Sequence, residues 1–222
     1  MTPERLQAPN LSSELAPLAA EEAAEPLEWW QRRVEGELAG RVFDGVDILD
    51  CHLIDVQLTG TELDGVRITD TLIEGCELSG LLLHDAVLTR VELRECRMSG
   101  AQLAQAQLRD VRFDGCRLDG ANLRYATGQR VELEDCAMAG ADLYGASITD
   151  VAMLDCDLSD VDLAKSELPG ARLQGSTIDR LRGVEQLRGA VLDTAQAVPF
   201  ALLLSEALGV TIDDDRETRQ PR

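Results

Sequence analysis

The chain has 222 residues, of which 45% are apolar and only 3% aromatic, and its formal net charge is −20. This charge excludes direct binding to a nucleic-acid backbone or an anionic membrane surface, because both would repel the chain. The apolar share suffices for a core, but with so few rings the chain must bury many small aliphatic side chains in a regular way. Such a composition favours a repeat architecture.

The residues before Leu38 lie outside any repeat. Residues 1–25 are rich in Ala, Pro and Glu and lack the basic start and apolar stretch of a secretory signal, so we predict a disordered tail and a cytoplasmic protein. Residues 26–35 are interpreted as a short N-terminal helical cap. Its Trp29 and Trp30 are either lids on the axial core or ligand platforms, and lids are the favoured interpretation.

From Leu38 to Ile178, every fifth residue is a large apolar one. Of these 29 positions, 28 carry Leu, Ile, Met or Phe, and the exception is Gly128. A period of five fits neither an α-helix nor a flat strand, so the chain must bend once per repeat. The gap at Gly128 is either filled by the ring of Tyr125 or marks a local kink, and we expect the ring to fill it.

A second period of 20 residues sets the number of bends per turn. Glycines recur at this interval from Gly40 to Gly140, as do cysteines from Cys76 to Cys156, so four pentapeptides form one coil. We predict an all-β solenoid, a right-handed quadrilateral parallel β-helix of about seven coils over residues 36–180. Short helical caps are expected at both ends. The cysteines are expected to stack as a buried thiol column rather than a metal or redox ladder.

Residues 181–212 are predicted to form a C-terminal turn and helical cap. Ala195 to Leu208 has Pro199 near its start and Gly209 just past its end, as helices often do. The segment is too apolar for an isolated surface helix, so we expect it both to cap the last coil and to form a homodimer contact. The residues assigned to these contacts are Phe200, Leu203, Leu204 and Leu208. Residues 213–222 are highly charged and are predicted to be disordered.

No catalytic, cofactor or metal site is predicted. His52 and His84 have no nucleophile at a suitable spacing, and the glycines follow turn spacing rather than a phosphate-binding loop. The chain is therefore expected not to be an enzyme. Outward carboxylates are candidates for an acidic partner-binding surface, with a weak divalent-cation site as the less favoured alternative. The residues chosen for that surface are Asp50, Asp55, Asp70, Asp85, Asp142, Asp150, Asp157 and Asp162.

Two segments, Ala121-Asn122-Leu123 and Ala141-Asp142-Leu143, resemble the A(D/N)LXX pattern of the pentapeptide-repeat family, and the resemblance covers residues 36–180. It implies a solenoid fold. For members of the quinolone-resistance type, it also implies a dimeric acidic rod that binds DNA gyrase or topoisomerase IV by imitating DNA. Many similar members have no assigned role, which leaves open a structural or regulatory module with an unrelated protein partner.

The charge layout departs from that of a DNA mimic in the middle of the chain. Residues 36–89 hold 11 acids and two bases, residues 90–130 five acids and eight bases, and residues 131–180 11 acids and three bases, which gives −9, +3 and −8. The central bases are Arg90, Arg94, Arg97, Arg109, Arg112, Arg117, Arg124 and Arg130. We expect them to pair with nearby acids. The sequence thus predicts a protein-interaction scaffold that presents a mainly acidic rod, with a type II topoisomerase as the sharpest candidate partner.

Overall fold

The computed structural model describes residues 5–19, 28–43 and 45–211. They form a parallel β-solenoid of about six turns that is followed by one C-terminal helix. The strands are β1 (Ala16–Ala19), β2 (Glu28–Trp30), β3 (Arg32–Glu35), β4 (Asp47–Leu49), β5 (His52–Ile54), β6 (Arg67–Glu74), β7 (Val87–Arg94), β8 (Gln107–Asp114), β9 (Thr127–Glu134) and β10 (Ser147–Leu154). A short 3-10 helix, Val184–Gln186, and the α-helix α1, Ala197–Ala207, follow them.

Successive coils stack in a register of 20 residues. Where β7 pairs with β8, Leu88 lies beside Leu108, and the other pairs from β6 to β10 keep this offset. Isolated bridges with the same offset, such as Glu77 to Arg97, connect the remaining sides of each coil. The prediction of a parallel solenoid with four pentapeptides per coil is therefore confirmed.

We number the four walls from the residues of one coil. The first wall contains residues 67–69, the second residues 72–74, the third residues 77–79 and the fourth residues 82–84, each with its equivalents at intervals of 20. The eight-residue strands cover the first and second walls and bend between them, as β6 does at Asp70, whose φ is 47°. One residue per coil thus forms each of the four edges of the rod.

The axis of the rod is filled by the side chains that were predicted to face inward. On the fourth wall, Leu83, Leu103 and Leu123 are buried in consecutive coils. The small inward residues Ala101 and Ala121 are also buried, and they let the walls approach one another. Alternation of large and small aliphatic groups therefore builds a continuous core with very few rings.

The number of coils is about six rather than the predicted seven or so. The long strands end with β10, and beyond it the first wall continues only through an isolated bridge between Ser147 and Glu167. Pro169 follows at the next outward position and has no N–H group to donate to the coil beneath. The last repeats therefore stay in register without forming a full strand.

The N-terminal cap is built from strands, so the predicted helix over residues 26–35 is wrong. β2 pairs with β4 and β3 pairs with β5, which satisfies the open backbone of the first complete coil. Trp29 is buried and packs edge-to-face on Phe43 with ring centroids 5.8 Å apart, whereas Trp30 is 60% exposed. Only one of the two tryptophans therefore covers the axis.

The segment before this cap also differs from its prediction. Residues 5–19, which were expected to belong to a disordered tail, lie against the rod, and β1 pairs with β3. The N-terminal chain can add a strand there because the edge of β3 is otherwise open. The remaining residues of that predicted tail, and the predicted disordered tail over 213–222, lie outside the described residues.

The position of Gly128 is not filled by Tyr125, whose side chain is 52% exposed. Instead, the backbone of Gly128 lies directly against the two neighbouring coils. A Cβ atom added to Gly128 would lie 2.8 Å from the carbonyl oxygen of Leu108 and 3.3 Å from Cγ2 of Ile148. The neighbouring coils therefore leave no room for a side chain at this position, and the expected ring repair is wrong.

At the C-terminal end, α1 lies on the last coil. Phe200, Leu203 and Leu204 pack against the core, whereas Leu208 follows the helix and is exposed. The helix is apolar around its circumference, and Val198 and Leu202 on its outer side remain exposed. The helix therefore covers the rod and presents a second apolar face.

Gly183, which precedes the 3-10 helix, is expected to be the most sensitive turn glycine in the described chain. Its φ is 75°, and an added Cβ would lie 2.5 Å from the backbone N of Ala164 and 2.6 Å from the carbonyl carbon of Leu163. Because backbone atoms cannot easily move aside, Gly183→Ala should lower the free energy of unfolding by about 2–4 kcal/mol. Urea denaturation would measure this loss.

Gly189→Ala is the matched control, because its φ is 72° and the nearest atom to an added Cβ is 4.0 Å away. Gly189→Ala should lower the free energy of unfolding by about 1 kcal/mol, which is the cost of holding alanine at a positive φ without a steric clash. Equal losses for the two variants would contradict the close approach at Gly183.

Candidate functional site

The central arginines are paired along the rod. Seven of the eight form an ion pair with a described acid, through Arg90–Asp70, Arg94–Glu92, Arg97–Glu77, Arg117–Asp119, Arg124–Asp142, Arg130–Asp110 and the contacts of Arg112. Arg109 has no ion pair with any residue that the structure describes. The basic band predicted from the sequence is therefore largely neutralised by acids two residues or one coil away.

Arg112 is the centre of a network on the second wall. Its guanidinium lies 2.5 Å from Glu134, 3.5 Å from Asp114, 3.6 Å from Glu132 and 3.9 Å from Glu92. One cation thus compensates acids from three consecutive coils. This wall carries many charges but little net charge that could attract a charged partner.

The edge between the first and second walls carries charges of both signs, which alternate from Asp70 onward, and we call it the ladder edge: Asp50, Asp70, Arg90, Asp110, Arg130 and Asp150. Arg90 donates two hydrogen bonds to Asp70, both of 2.6 Å, and Arg130 donates two to Asp110, of 2.6 and 2.9 Å. These bonds hold the pKa of the Asp70 and Asp110 carboxyls below the ordinary value. The second pair is buried.

The edge between the second and third walls is acidic throughout, and we call its carboxylates the acidic edge: Asp55, Glu95, Asp135 and Asp155. All four are exposed, and none forms an ion pair with a described residue. Gly75 and Gly115 lie between these acids and Gly175 follows them, so no base occupies this edge from residue 55 to residue 175. It is the longest line of unneutralised charge among the edges that the structure describes.

The glycines of this edge help to orient the acids. A Cβ added to Gly75 would lie 2.5 Å from Oδ1 of Asp55, and Gly175 stands in the same relation to Asp155. Each of these carboxylates therefore lies over the glycine of the next coil. Listing every twentieth residue from Asp55 would have revealed this line of acids and glycines in the sequence, but of the four acids only Asp55 was predicted.

The eight acids chosen from the sequence do not form one surface. Asp50, Asp70 and Asp150 lie on the ladder edge, Asp55 on the acidic edge, and Asp85 on the edge between the fourth and first walls; Asp157 lies on the third wall and Asp142 and Asp162 on the fourth. Asp142 and Asp162 are paired with Arg124 and Arg182. The repeat distributes these residues around the rod.

A cluster of aromatic and cationic side chains lies diagonally opposite the acidic edge. This tyrosine cluster consists of Arg124, Tyr125, Tyr144 and Lys165, and it contains both tyrosines and the only lysine of the chain. The two rings meet edge-to-face with centroids 5.7 Å apart. The Arg124 guanidinium lies 4.4 Å and the Lys165 amine 5.2 Å from the centre of the Tyr144 ring. The rod therefore has one acidic and one cationic-aromatic edge.

No group of three or more His, Cys, Asp or Glu side chains within the described ranges is arranged to hold a metal ion. His52 lies 3.2 Å from Glu74 and His84 lies 3.3 Å from Asp64, so the two histidines take part in separate surface pairs. None of the described helices has the length and hydropathy needed to span a membrane.

The six cysteines are free and buried, as expected for a thiol column. Each thiol lies within hydrogen-bonding distance of two backbone carbonyls, and Cys96, for example, donates toward Ile73 at 3.5 Å and Arg94 at 3.3 Å. Burial raises the pKa of the Cys51 thiol to about 11. These thiols therefore act as inward packing groups that also satisfy the backbone.

Thiol labelling of the native protein with an aromatic disulfide reagent at pH 8 should be slow. Because all six thiols are buried and the reagent reaches them only when the coils open, we expect fewer than about one thiol per chain to react in the time that the urea-unfolded protein reacts fully. The absorbance of the released thiolate measures both reactions. Rapid reaction of several native thiols would contradict the buried column.

Two sequence profiles match the chain. One is described as a pentapeptide repeat region and matches residues 46–123, and the other, described as pentapeptide repeats (8 copies), matches residues 112–153 and 129–163. No individual curated protein matches.

Solved structures with a similar course of the chain include two pentapeptide-repeat proteins. A trypsin-treated form of QnrB1, a plasmid-mediated fluoroquinolone resistance protein, is 18% identical, with a TM-score of 0.42 over 84% of this chain and 98% of that one. HetL, involved in heterocyst differentiation regulation in the cyanobacterium Nostoc sp. strain PCC 7120, is 19% identical, with a TM-score of 0.28 over 74% and 86%. The two profiles together span residues 46–163, more than half of the chain, which belongs to the pentapeptide-repeat family.

Proposed function

We propose that the protein is a non-enzymatic binding scaffold whose acidic edge docks onto a basic surface of a protein partner. The observation that carries this proposal is the line of Asp55, Glu95, Asp135 and Asp155, which are exposed and form no ion pair with a described residue. Most of the central arginines are already paired with acids of the rod. A positively charged partner therefore meets its strongest attraction at this edge.

The geometry of the edge limits what it can imitate. Asp55 and Asp155 are five coils apart, roughly 24 Å at ~4.8 Å per coil. One strand of DNA carries about seven phosphates over that length, at ~3.4 Å per phosphate along the helix axis. The four carboxylates give somewhat more than half of that charge density, and they lie along one edge of the stacked coils. The edge thus resembles one strand of a duplex more closely than the whole duplex.

A type II topoisomerase, DNA gyrase or topoisomerase IV, is the partner we propose, acting through imitation of its DNA substrate. The support is the resemblance of the repeats to quinolone-resistance members, together with the charged edge. A supercoiling assay of DNA gyrase with the purified protein, with and without a quinolone, tests this proposal. We expect inhibition or drug protection at micromolar protein, weakening as salt rises.

A pair of double variants makes the assay specific for the edge. Glu95→Gln with Asp135→Asn removes two charges from the acidic edge, and we expect a loss of activity of about tenfold. Glu62→Gln with Asp85→Asn removes two exposed acids from elsewhere on the rod and should have little effect. Equal losses would mean that only net charge matters, and an inactive wild type would reject the topoisomerase.

The tyrosine cluster favours a second candidate, a structural or regulatory module with a partner unrelated to DNA enzymes. Tyr and Arg are enriched at the centres of protein interfaces, and Tyr125 is exposed on a chain that has few rings. If gyrase is unaffected, a pull-down with wild type and with Tyr125→Ala tests this candidate. A partner that the variant fails to retain would identify the cluster as its binding surface.

We also propose that the protein is a homodimer through the exposed side of α1. Val198 and Leu202 lie one turn apart on the helix and remain exposed beside a helix face that already packs on the core. Pairing of two such faces would remove them from water. Light scattering should give the mass of a dimer at micromolar concentration and that of a monomer for Val198→Glu with Leu202→Glu. A monomeric wild type would reject the dimer.

The proposed location is the cytoplasm. The six cysteines are unpaired with one another, and a reducing compartment keeps such thiols in that state. Fractionation of cells that produce the protein would test the location.

A further inference from the structure

The N-terminal segment follows the ladder edge as an extended strap, which we define as residues 5–13. The backbone N–H of Gln7 donates to Oδ1 of Asp110 at 3.1 Å, that of Asn10 to Oδ1 of Asp70 at 3.1 Å. The N–H of Ser12 donates to Oδ1 of Asp50 at 2.7 Å, and its hydroxyl donates to the other oxygen of that carboxylate. Three acids of one edge therefore each accept a backbone N–H.

The spacing of these contacts matches an extended chain that runs along the rod. Asp110 and Asp70 are two coils apart, roughly 10 Å, and three extended residues from Gln7 to Asn10 span about the same distance. Asp70 and Asp50 are one coil apart, roughly 5 Å, and two residues join Asn10 to Ser12. The strap then continues into β1, which pairs with β3 at the end of the rod.

The chemistry of the strap complements that of the edge. Residues 5–13 contain no acid, although the whole chain has 41, and Arg5 is their only base. Pro9 restricts itself and its predecessor to extended conformations. On the rod, Arg90 and Arg130 hold the carboxylates of Asp70 and Asp110 through hydrogen bonds that do not involve the strap. The edge is therefore preorganised for the N–H groups of an extended peptide.

Apolar contact adds to these hydrogen bonds at the far end of the strap. Leu6 lines a surface depression of about 150 Å³ together with Arg130, Val151 and Val191. Leu6 is half-buried there and forms one wall of the depression rather than filling it. The edge thus offers a register of hydrogen-bond acceptors and, at the far end of the strap, contact for one apolar side chain.

We propose that the ladder edge is a binding groove for an extended, acid-free peptide. The strap occupies this groove in cis. A segment of a partner protein with the same chemistry displaces the strap and binds in its place. A tethered segment competes at an effective concentration on the order of millimolar. A partner peptide of similar intrinsic affinity therefore binds weakly until the strap is displaced. This groove is distinct from the acidic edge, so its failure would leave the proposed function standing.

The full chain with Gln7→Pro and Asn10→Pro tests whether the contacts hold the strap. Proline removes the two N–H donors while keeping an extended φ. Ala8→Pro with Ser13→Pro is the matched control, because both residues are exposed and neither N–H donates to a described carboxylate. We expect exchange of the Ser12 N–H, the strap donor that both variants keep, to accelerate at least about tenfold in the first variant and much less in the control, as followed by mass spectrometry at single-residue resolution.

A labelled peptide with the sequence of residues 5–13 then tests the groove itself, by fluorescence anisotropy with the same proteins. We expect it to bind the Gln7→Pro, Asn10→Pro protein at least about tenfold more tightly than wild type, and a scrambled peptide to bind neither. Unchanged exchange in the first variant would show that these contacts do not hold the strap. Absence of peptide binding to the released edge, or equal binding to both proteins, would overturn the groove.

Discussion

Replacing Leu103 with aspartate is expected to abolish the folded rod. The Leu103 side chain is fully buried in a central coil, between Leu83 and Leu123 of the coils on either side. A carboxylate there would have neither water nor a basic partner, which costs more than about 4 kcal/mol. Domains of this kind are stable by only about 5–15 kcal/mol. In a solenoid, a coil that cannot close also separates the coils on its two sides.

Circular dichroism during thermal and urea unfolding would measure this effect. Ala104→Asp is the matched control, because it adds the same charge to the neighbouring outward position and should unfold like wild type. If the aspartate variant does not fold, Leu103→Ala still gives a measurable value. Its free energy of unfolding should fall by about 2–5 kcal/mol. If Leu103→Asp melted like wild type, the inward assignment of the fifth residue would be wrong.

The solenoid could be predicted because its determinants recur along the sequence. Each pentapeptide has the same pattern of inward and outward residues. The inward assignment of a residue such as Leu103 is supported by the equivalent leucines 20 residues away in both directions. The edges could also have been sorted in this way, since Asp70 with Arg90 and Asp110 with Arg130 are separated by the same interval. The period of five alone does not say which wall or edge an outward residue belongs to, so these pairs are not visible until the residues are sorted by coil.

The two ends could not be predicted because they are not periodic. A segment with Trp29 and Trp30 can form a helix or a strand, and the open backbone of the first coil decides in favour of a strand. The strap has no apolar pattern of its own, and its conformation follows from carboxylates that lie up to 103 residues away. Gly128 is a similar case, since the response of the wall depends on how far the neighbouring coils can approach.

Asp110→Asn is expected to lower the free energy of unfolding by about 3 kcal/mol. Asp110 and Arg130 have side chains only 3% and 9% exposed, and the substitution removes a buried negative charge that accepts two hydrogen bonds from the guanidinium. Urea denaturation near pH 7 measures the loss. Asp110→Leu with Arg130→Met removes both charges and should recover part of the stability, because a buried ion pair contributes little beyond an apolar pair of similar size. The rest stays lost, because residue 110 has a φ of 55°, which Asp adopts more readily than Leu.

The control for burial is a second pair with the same geometry. Arg180 and Asp160 form the same two hydrogen bonds, of 2.7 and 2.6 Å, but their side chains are 72% and 50% exposed. Water already solvates both charges, so Asp160→Asn should leave the free energy of unfolding unchanged within error. A comparable loss in the two variants would mean that hydrogen-bond geometry, and not burial, determines the effect.

The dependence on pH gives the same prediction an independent test. Hydrogen bonds from Arg130 hold the pKa of the folded Asp110 carboxyl below its ordinary value of 3.8. A lowered folded pKa stabilises the protein fully above the unfolded pKa, and this contribution is lost as the pH falls through the folded value. The difference between wild type and Asp110→Asn should therefore be constant near neutral pH and shrink below about pH 4. A difference that persisted in strong acid would have to come from packing rather than from the charge of Asp110.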